Sequence, residues 1–236
     1  MAIPGGFDIL NNDFEAACRL FISAAITVAV GTVTYIMTKQ EESPLRPKEM
    51  FMTTTLTWTA FALFSALPFY LSYHNISFTD AFFESMSGLT TTGATVLTGL
   101  DHMNHGLLLW RSFIQWLGGV GIIIVAITVL PNLSIGGMQF FSTESSERSD
   151  KSSPKTAQNL RAILIFFLFL SAAGALSLWI AGMSVFDAVN HAMTTIATGG
   201  FSTHDASLAY YKSPAIEWVI TFFMAVAGLP LIIGMY

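Results

Sequence analysis

Residues 79–95 read TDAFFESMSGLTTTGAT, and the same pattern returns 107 residues later as FDAVNHAMTTIATGGFS at 186–202. In each copy a short apolar patch runs into a loop of threonines and glycines. An internal repeat of this kind indicates one structural unit that is used twice. The matched pairs are Ser77 with Ser184, Asp80 with Asp187, Ala81 with Ala188, Met86 with Met193, Leu89 with Ile196, Thr91 with Thr198, Gly93 with Gly200, and Thr95 with Ser202.

The composition places both copies in a membrane protein. Of the 236 residues, 53% are hydrophobic and only 11% are charged, whereas about 25% are charged in soluble domains. The net charge is −5 without a basic run, which argues against a nucleic-acid partner. The single cysteine, Cys18, excludes an internal disulfide framework. We therefore expect an all-α integral membrane protein.

Five stretches have the roughly 20 apolar residues that a helix needs to cross a bilayer. Lysine and arginine are concentrated in residues 38–49 and 132–159, which are therefore predicted to be cytoplasmic by the positive-inside rule. This orientation puts Met1 outside the cell. The predicted spans are Phe14–Met37, Met50–Tyr73, Leu107–Leu130, Leu160–Met183 and Pro214–Tyr236.

The repeated patches, Asp80–Leu89 and Asp187–Ile196, are too short to cross. They are predicted to be re-entrant half-helices that end at the Thr/Gly loops. Non-helical backbone at membrane depth is tolerated where it is buried in protein or lines water. Rings of carbonyl oxygens there replace the hydration shell of a cation such as K⁺. The alternative is that both segments are ordinary external loops left by a duplication.

The predicted fold is thus a tandem repeat of helix, pore half-helix, filter loop and helix, with about five spanning helices and two re-entrant ones. Residues 1–49 form an N-terminal helix and cytoplasmic loop, and residues 50–131 form the first repeat. Residues 132–156 form a cytoplasmic linker, and residues 157–236 form a second repeat that is truncated at its end.

Several polar and small side chains near the half-helices have structural interpretations. Asp80 and Asp187 suit helix caps, with a charge in the pore vestibule as the alternative. Glu84 is interpreted as a structural hydrogen-bonding group behind the filter, and its counterpart in the second repeat is His191. Arg111 is explained by snorkelling. Close helix packing accounts for Gly118, Gly119 and Gly121, and a kink in the second span is expected at Pro68.

The motifs of the chain resemble those of the TrkH family, the membrane subunits of bacterial Trk potassium uptake systems. The resemblance runs from about Ile3 to about Gly228. Besides residues 79–95, it is carried by QWLGGVGII at 115–123, GGMQ at 136–139 and ATGGFSTHDAS at 197–207.

This resemblance implies a potassium transporter of the bacterial inner membrane. Family members are built from four such repeats around one pore, and they form homodimers. The implied cytosolic partner is the nucleotide-binding regulatory subunit TrkA. No enzyme activity and no cofactor other than the transported K⁺ are implied, and the sequence leaves proton symport open.

When the ligand positions of the family are matched to this sequence, the resemblance implies K⁺ ligands in both loops. The filter residues are Thr91, Thr92, Gly93 and Ala94 in the first loop and Thr198, Gly199, Gly200 and Phe201 in the second. Potassium itself is expected at Thr91, Thr92, Thr198 and Gly199. The residues expected to support the pore helices are Asp80, Glu84, Asp187 and His191.

The sequence also departs from the family pattern. Family chains have two helices before the first repeat, where this sequence has one, and they continue into a third and a fourth repeat. We therefore expect a two-repeat fragment of a four-repeat transporter. One alternative is a non-transporting fragment that binds other membrane subunits. Another is a membrane enzyme using the four supporting residues, which the mismatch of Glu84 with His191 argues against.

Overall fold

A computed structural model describes residues 1–38, 47–72, 76–128 and 152–228 of the chain. Every regular element in these ranges is helical. The helices are α1 (Ala2–Leu10), α2 (Phe14–Thr38), α3 (Pro47–Ser65), α4 (Leu67–Ser72), α5 (Phe78–Leu89), α6 (His105–Thr128), α7 (Ser152–Ile180), α8 (Val185–Ile196) and α9 (Pro214–Gly228), with short 3-10 turns at Leu100–His102 and Ser207–Tyr210.

Four helical stretches among the described residues are long and apolar enough to cross a membrane. The fifth predicted span is helical as α9 over 15 residues, and residues 229–236 lie outside the described part of the chain. The GGMQ motif and most of the predicted linker 132–156 lie outside it as well. The four stretches are Phe14–Thr38, Lys48–Ser72, His105–Val125 and Arg161–Ile180.

The second of these stretches is broken where the sequence predicts a kink. Helix α3 ends at Ser65, and α4 begins at Leu67 with Pro68 as its second residue. Proline has no backbone N–H and clashes with the preceding turn, which interrupts the helical hydrogen bonds. The Ser65 carbonyl at the break accepts a hydrogen bond from the indole of Trp110 at 3.1 Å. The predicted kink is therefore confirmed.

Helix α1 was not predicted, and it packs against the start of α6. The Asp8 carboxylate is 1% exposed and accepts a hydrogen bond from the Gly106 backbone N–H at 2.7 Å. The side chain of Asn104 also donates to Asp13. Burial raises the pKa of the Asp8 carboxyl, although the bond from Gly106 opposes that shift. An anion at a helix N-terminus is electrostatically favourable, so Asp8 anchors α1 to α6.

Helix α6 packs between the ends of the two short helices. A Cβ built on Gly118 would lie 1.9 Å from the Leu89 carbonyl oxygen, at the end of α5. A Cβ built on Gly119 would lie 3.0 Å from the Cβ of Ala197, just after α8. The predicted close packing at these two glycines is confirmed. Residues at both loops therefore lie within reach of side chains on α6.

Candidate functional site

The two short helices, α5 and α8, are equal in length and begin in the same way. Each has 12 residues and follows a serine N-cap, Ser77 or Ser184. The serine hydroxyl accepts from the backbone N–H of Asp80 or Asp187 at 3.1 and 3.0 Å, and it donates to the same carboxylate at 2.7 Å in both helices. The N-cap residue of each helix is therefore the serine, and the prediction that Asp80 and Asp187 are the caps is wrong. Each carboxylate instead accepts a hydrogen bond from the capping hydroxyl.

The two helices also end in the same way. The N–H of Thr91 donates to the Gly88 carbonyl, and that of Thr92 donates to the Ser87 carbonyl, both at 2.9 Å. In α8 the corresponding donors are Thr198 and Gly199, again at 2.9 Å, with the carbonyls of Thr195 and Thr194 as acceptors. These are Schellman motifs, which require a left-handed residue that is usually glycine.

Both left-handed positions are occupied by threonine instead of glycine. The backbone φ is 56° at Thr91 and 55° at Thr198. A β-branched residue in this conformation is strained. Two residues further on, Gly93 and Gly200 also have positive φ, at 75° and 84°. Backbone strain at matched positions of two loops is typical of a functional site.

The two loops touch each other through backbone atoms. A Cβ built on Gly93 would lie 1.8 Å from the carbonyl oxygen of Gly199. A Cβ built on Gly200 would have no atom within 4 Å, so the positive φ alone favours glycine at this position. The side of the loops that includes Thr92, Thr198 and Gly200 is exposed in this chain. Ala94 is also exposed, and its carbonyl accepts from the Ser87 hydroxyl at 2.6 Å.

A buried ion pair lies behind the first loop. Oε1 of Glu84 is 2.8 Å from Nη2 of Arg111, and the two side chains are 0% and 1% exposed. Glu84 also accepts from the Thr95 hydroxyl at 2.9 Å and from the Val96 N–H at 3.1 Å. These bonds agree with a structural hydrogen-bonding role for Glu84, whereas its support of a pore helix stays a prediction. The prediction that Arg111 snorkels is wrong, because its guanidinium is buried and paired with a carboxylate and does not extend to solvent.

Arg111 contacts the second loop as well as the first. Its Nη1 donates to the Ser202 carbonyl at 2.9 Å, and its Cζ lies 4.2 Å from the centre of the Phe201 ring. Ionisable residues inside apolar membrane segments usually pair with one another. An ion pair between Glu84 and Arg111 could therefore have been predicted. The bridge between the loops was not predicted, because each of the two residues had been given a separate explanation.

The second repeat replaces the carboxylate with His191. The ring Nδ1 lies 2.9 Å from the Asp187 carbonyl, and Nε2 lies 3.0 Å from the Ser202 hydroxyl. Because a carbonyl only accepts, we assign the proton to Nδ1, so Nε2 accepts from Ser202. Ser202 is the counterpart of Thr95. Helices α5 and α8 therefore each hydrogen-bond to the matching hydroxyl of the loop that follows, through Glu84 in α5 and His191 in α8.

A further contact joins the segments that follow the loops. The Asp205 carboxylate accepts from the N–H groups of Gly99 and Leu100 at 3.0 and 3.2 Å. Nδ1 of His204 lies 2.5 Å from the Asp101 carboxylate, and the His204 ring stacks on Tyr210 at 3.6 Å. The hydrogen bond from His204 lowers the pKa of Asp101. No local pattern predicts these contacts, because their partners are more than 100 residues apart in the chain.

Comparison with known proteins identifies the family. The family described as "TrkH: Cation transport protein" matches residues 17–233. The chain belongs to the TrkH family. It is 42% identical to the Trk system potassium uptake protein TrkH of Escherichia coli K12 over 232 residues, which is 97% of this chain and 48% of that protein. It is also 42% identical to the Trk system potassium uptake protein TrkI of Halomonas elongata over 234 residues, or 99% of this chain and 47% of the relative.

The fold agrees with a solved TrkH-family structure. The crystal structure of the potassium transporter TrkH from Vibrio parahaemolyticus matches with a TM-score of 0.80 and 37% identity, over 94% of this chain and 45% of that one. The chain spans about half the length of the curated relatives that it matches. It is a multi-pass integral membrane protein of a transport family, not of an enzyme family, in agreement with the predicted inner-membrane location.

Proposed function

We propose that this chain supplies two of the four ion-selecting repeats of a Trk-type potassium transporter. In this proposal α5 and α8 are re-entrant pore helices. Backbone oxygens of Thr91–Ala94 and Thr198–Phe201 replace the hydration shell of K⁺. The C-terminal ends of both helices point their partial negative charge toward the ion and favour a cation.

The observation that carries the proposal is the geometric match of two loops 107 residues apart. They share Schellman ends, left-handed threonines and positive-φ glycines, and they meet at the Gly93–Gly199 contact. Strained backbone persists only where the surrounding structure holds it and is concentrated at functional sites. The exposed side of the loops has room for the oxygens that further repeats would contribute.

The remaining parts of the proposal follow from membership of the family. The complete transporter would be a homodimer of four-repeat units that works with the nucleotide-binding subunit TrkA in the inner membrane. The membrane potential favours cation entry by roughly 2.3 kcal/mol per charge per 100 mV, which drives uptake with or without coupled protons.

Rubidium uptake into a bacterium that lacks its own potassium uptake systems tests the proposal. The chain would be expressed alone, and in the same strain together with the C-terminal half of a TrkH relative. We expect uptake only when both halves are present. Co-purification of the two halves without uptake above the empty-vector level would contradict transport and favour a binding role.

A further inference from the structure

Gln115 lies on α6, one helical turn after Arg111, and reaches the second loop. Its side chain is 0% exposed. Oε1 accepts a hydrogen bond from the backbone N–H of Phe201 at 3.1 Å. This N–H belongs to the peptide unit that joins Gly200 to Phe201. Helix α6 is part of the first repeat, so a residue of one repeat holds the filter backbone of the other.

The direction of this hydrogen bond fixes the direction of a filter oxygen. In a trans peptide the C=O and the N–H point in opposite directions, and no peptide bond in the described residues is cis. Because the Phe201 N–H points at Gln115, the Gly200 carbonyl points away from α6. Gly200 has φ 84°, and its Cβ position is open within 4 Å, so this side of the peptide is held neither by a side chain of its own nor by crowding at that position.

The same amide fills the space beside the loop–loop contact. A Cβ built on Gly199 would lie 2.1 Å from Cδ of Gln115, and one built on Gly93 would lie 3.7 Å from its Nε2. Nε2 is buried and has no hydrogen-bond partner among the described residues. A buried donor without a partner is costly, which argues that more than packing keeps an amide at this position.

We propose that Gln115 is a positioning residue for cation selection, which orients the Gly200 carbonyl through the Phe201 N–H. The inference rests on the proposed function of the loops. Gln115 acts through the backbone and is not itself an ion ligand. The second repeat has Phe222 at the equivalent position of α9. A phenylalanine side chain cannot accept such a hydrogen bond, so α9 does not repeat this arrangement.

The test compares Rb⁺ and Na⁺ flux in proteoliposomes that contain the complete transporter. Gln115→Met removes the acceptor and nearly keeps the side-chain length, whereas Gln115→Glu retains an acceptor oxygen. We expect Gln115→Met to lower the Rb⁺/Na⁺ flux ratio about tenfold, in line with the loss of one hydrogen bond, and Gln115→Glu to keep most of it. Ser112→Ala is the matched control, because among the described residues the buried Ser112 hydroxyl bonds only to Leu108 of its own helix.

Each result supports or overturns the inference. A normal flux ratio in Gln115→Met, with the ratio lost in Gly200→Ser, would overturn the role of Gln115 and leave the filter assignment intact. A normal ratio in both variants would overturn both proposals. If Gln115→Met does not fold, Gln115→Asn replaces it, since its shorter side chain keeps the amide but does not reach Phe201. A folded Gln115→Asn with a normal ratio would also overturn the inference.

Discussion

Nη2 of Arg111 lies 2.8 Å from Oε1 of Glu84, and the pair is shielded from solvent on all sides. Glu84 holds Thr95 and Val96 of the first loop, and Arg111 continues to the Ser202 carbonyl of the second. The two loops are therefore joined through one ion pair behind their backbones. Their relative position depends on this pair as well as on the direct Gly93–Gly199 contact.

Removing one member of the ion pair should destabilise the protein more than removing both. Glu84→Gln or Arg111→Met leaves the other member buried without its partner, at a cost of about 3–5 kcal/mol. The double variant should recover a large part of that loss. Thermal unfolding in detergent of the three variants measures the coupling. Strictly additive losses would show that the two charges do not depend on each other.

A methyl group at Gly118 should disrupt the packing of α6 on α5. The added Cβ would lie 1.9 Å from the Leu89 carbonyl oxygen, a backbone atom that cannot move without shifting the end of α5. We expect Gly118→Ala to cost about 3 kcal/mol. Gly121→Ala is the control, because its Cβ would lie 3.5 Å from the Trp58 ring, an ordinary contact. Equal unfolding temperatures for the two variants would contradict the packing.

Replacing the strained threonine of the second loop should raise the stability of the fold and lower the transport rate. Thr198→Gly relieves the left-handed strain and should stabilise the fold by up to about 1 kcal/mol. It should also reduce Rb⁺ uptake by the complete transporter, because glycine gives the backbone of the proposed filter loop more conformational freedom. Lys212→Gly relieves similar strain, at φ 47°, outside the loops and should leave uptake unchanged. Lower stability of Thr198→Gly would mean that the threonine side chain stabilises the loop more than the strain destabilises it.

The contact between Asp101 and His204 should make stability depend on pH. The pKa of Asp101 is lower in the folded state, so the contact stabilises the fold above the ordinary Asp pKa of about 3.9 and loses that effect as pH falls through the folded value. Asp101→Asn should therefore melt below wild type at pH 6, with a difference that shrinks toward pH 3. A difference that stays constant across this range would contradict the assignment.

Much of the fold could be predicted from the sequence, because apolar length and repetition are local signals. The end of α5 at Leu89, the break near Pro68 and the close approach at Gly118 follow from composition and spacing, whereas α5 begins two residues before the predicted Asp80. Helix α1 could not be predicted, since a segment with Pro4 and two glycines has low helix propensity and is held by tertiary contacts.

The connections around the site were harder to predict than its loops. Thr91 and Thr198 are recognisable from the repeat, but nothing adjacent in sequence shows that Arg111 and Gln115 reach the second loop. Such bridges depend on how α6 packs between α5 and α8. That packing is a property of the assembled helices, and a periodic pattern in one segment does not encode it.

The most direct test of the central claim is the Rb⁺/Na⁺ flux ratio of the complete transporter with Gly200→Ser. Gly200 has φ 84° and an open Cβ position, so serine strains the backbone of the proposed filter loop without a steric clash elsewhere in the described residues. Gly31→Ala, in α2 and also without close neighbours, is the control. The account predicts a reduced ratio for Gly200→Ser and a wild-type ratio for Gly31→Ala. A wild-type ratio for Gly200→Ser would contradict the assignment of these loops as the filter.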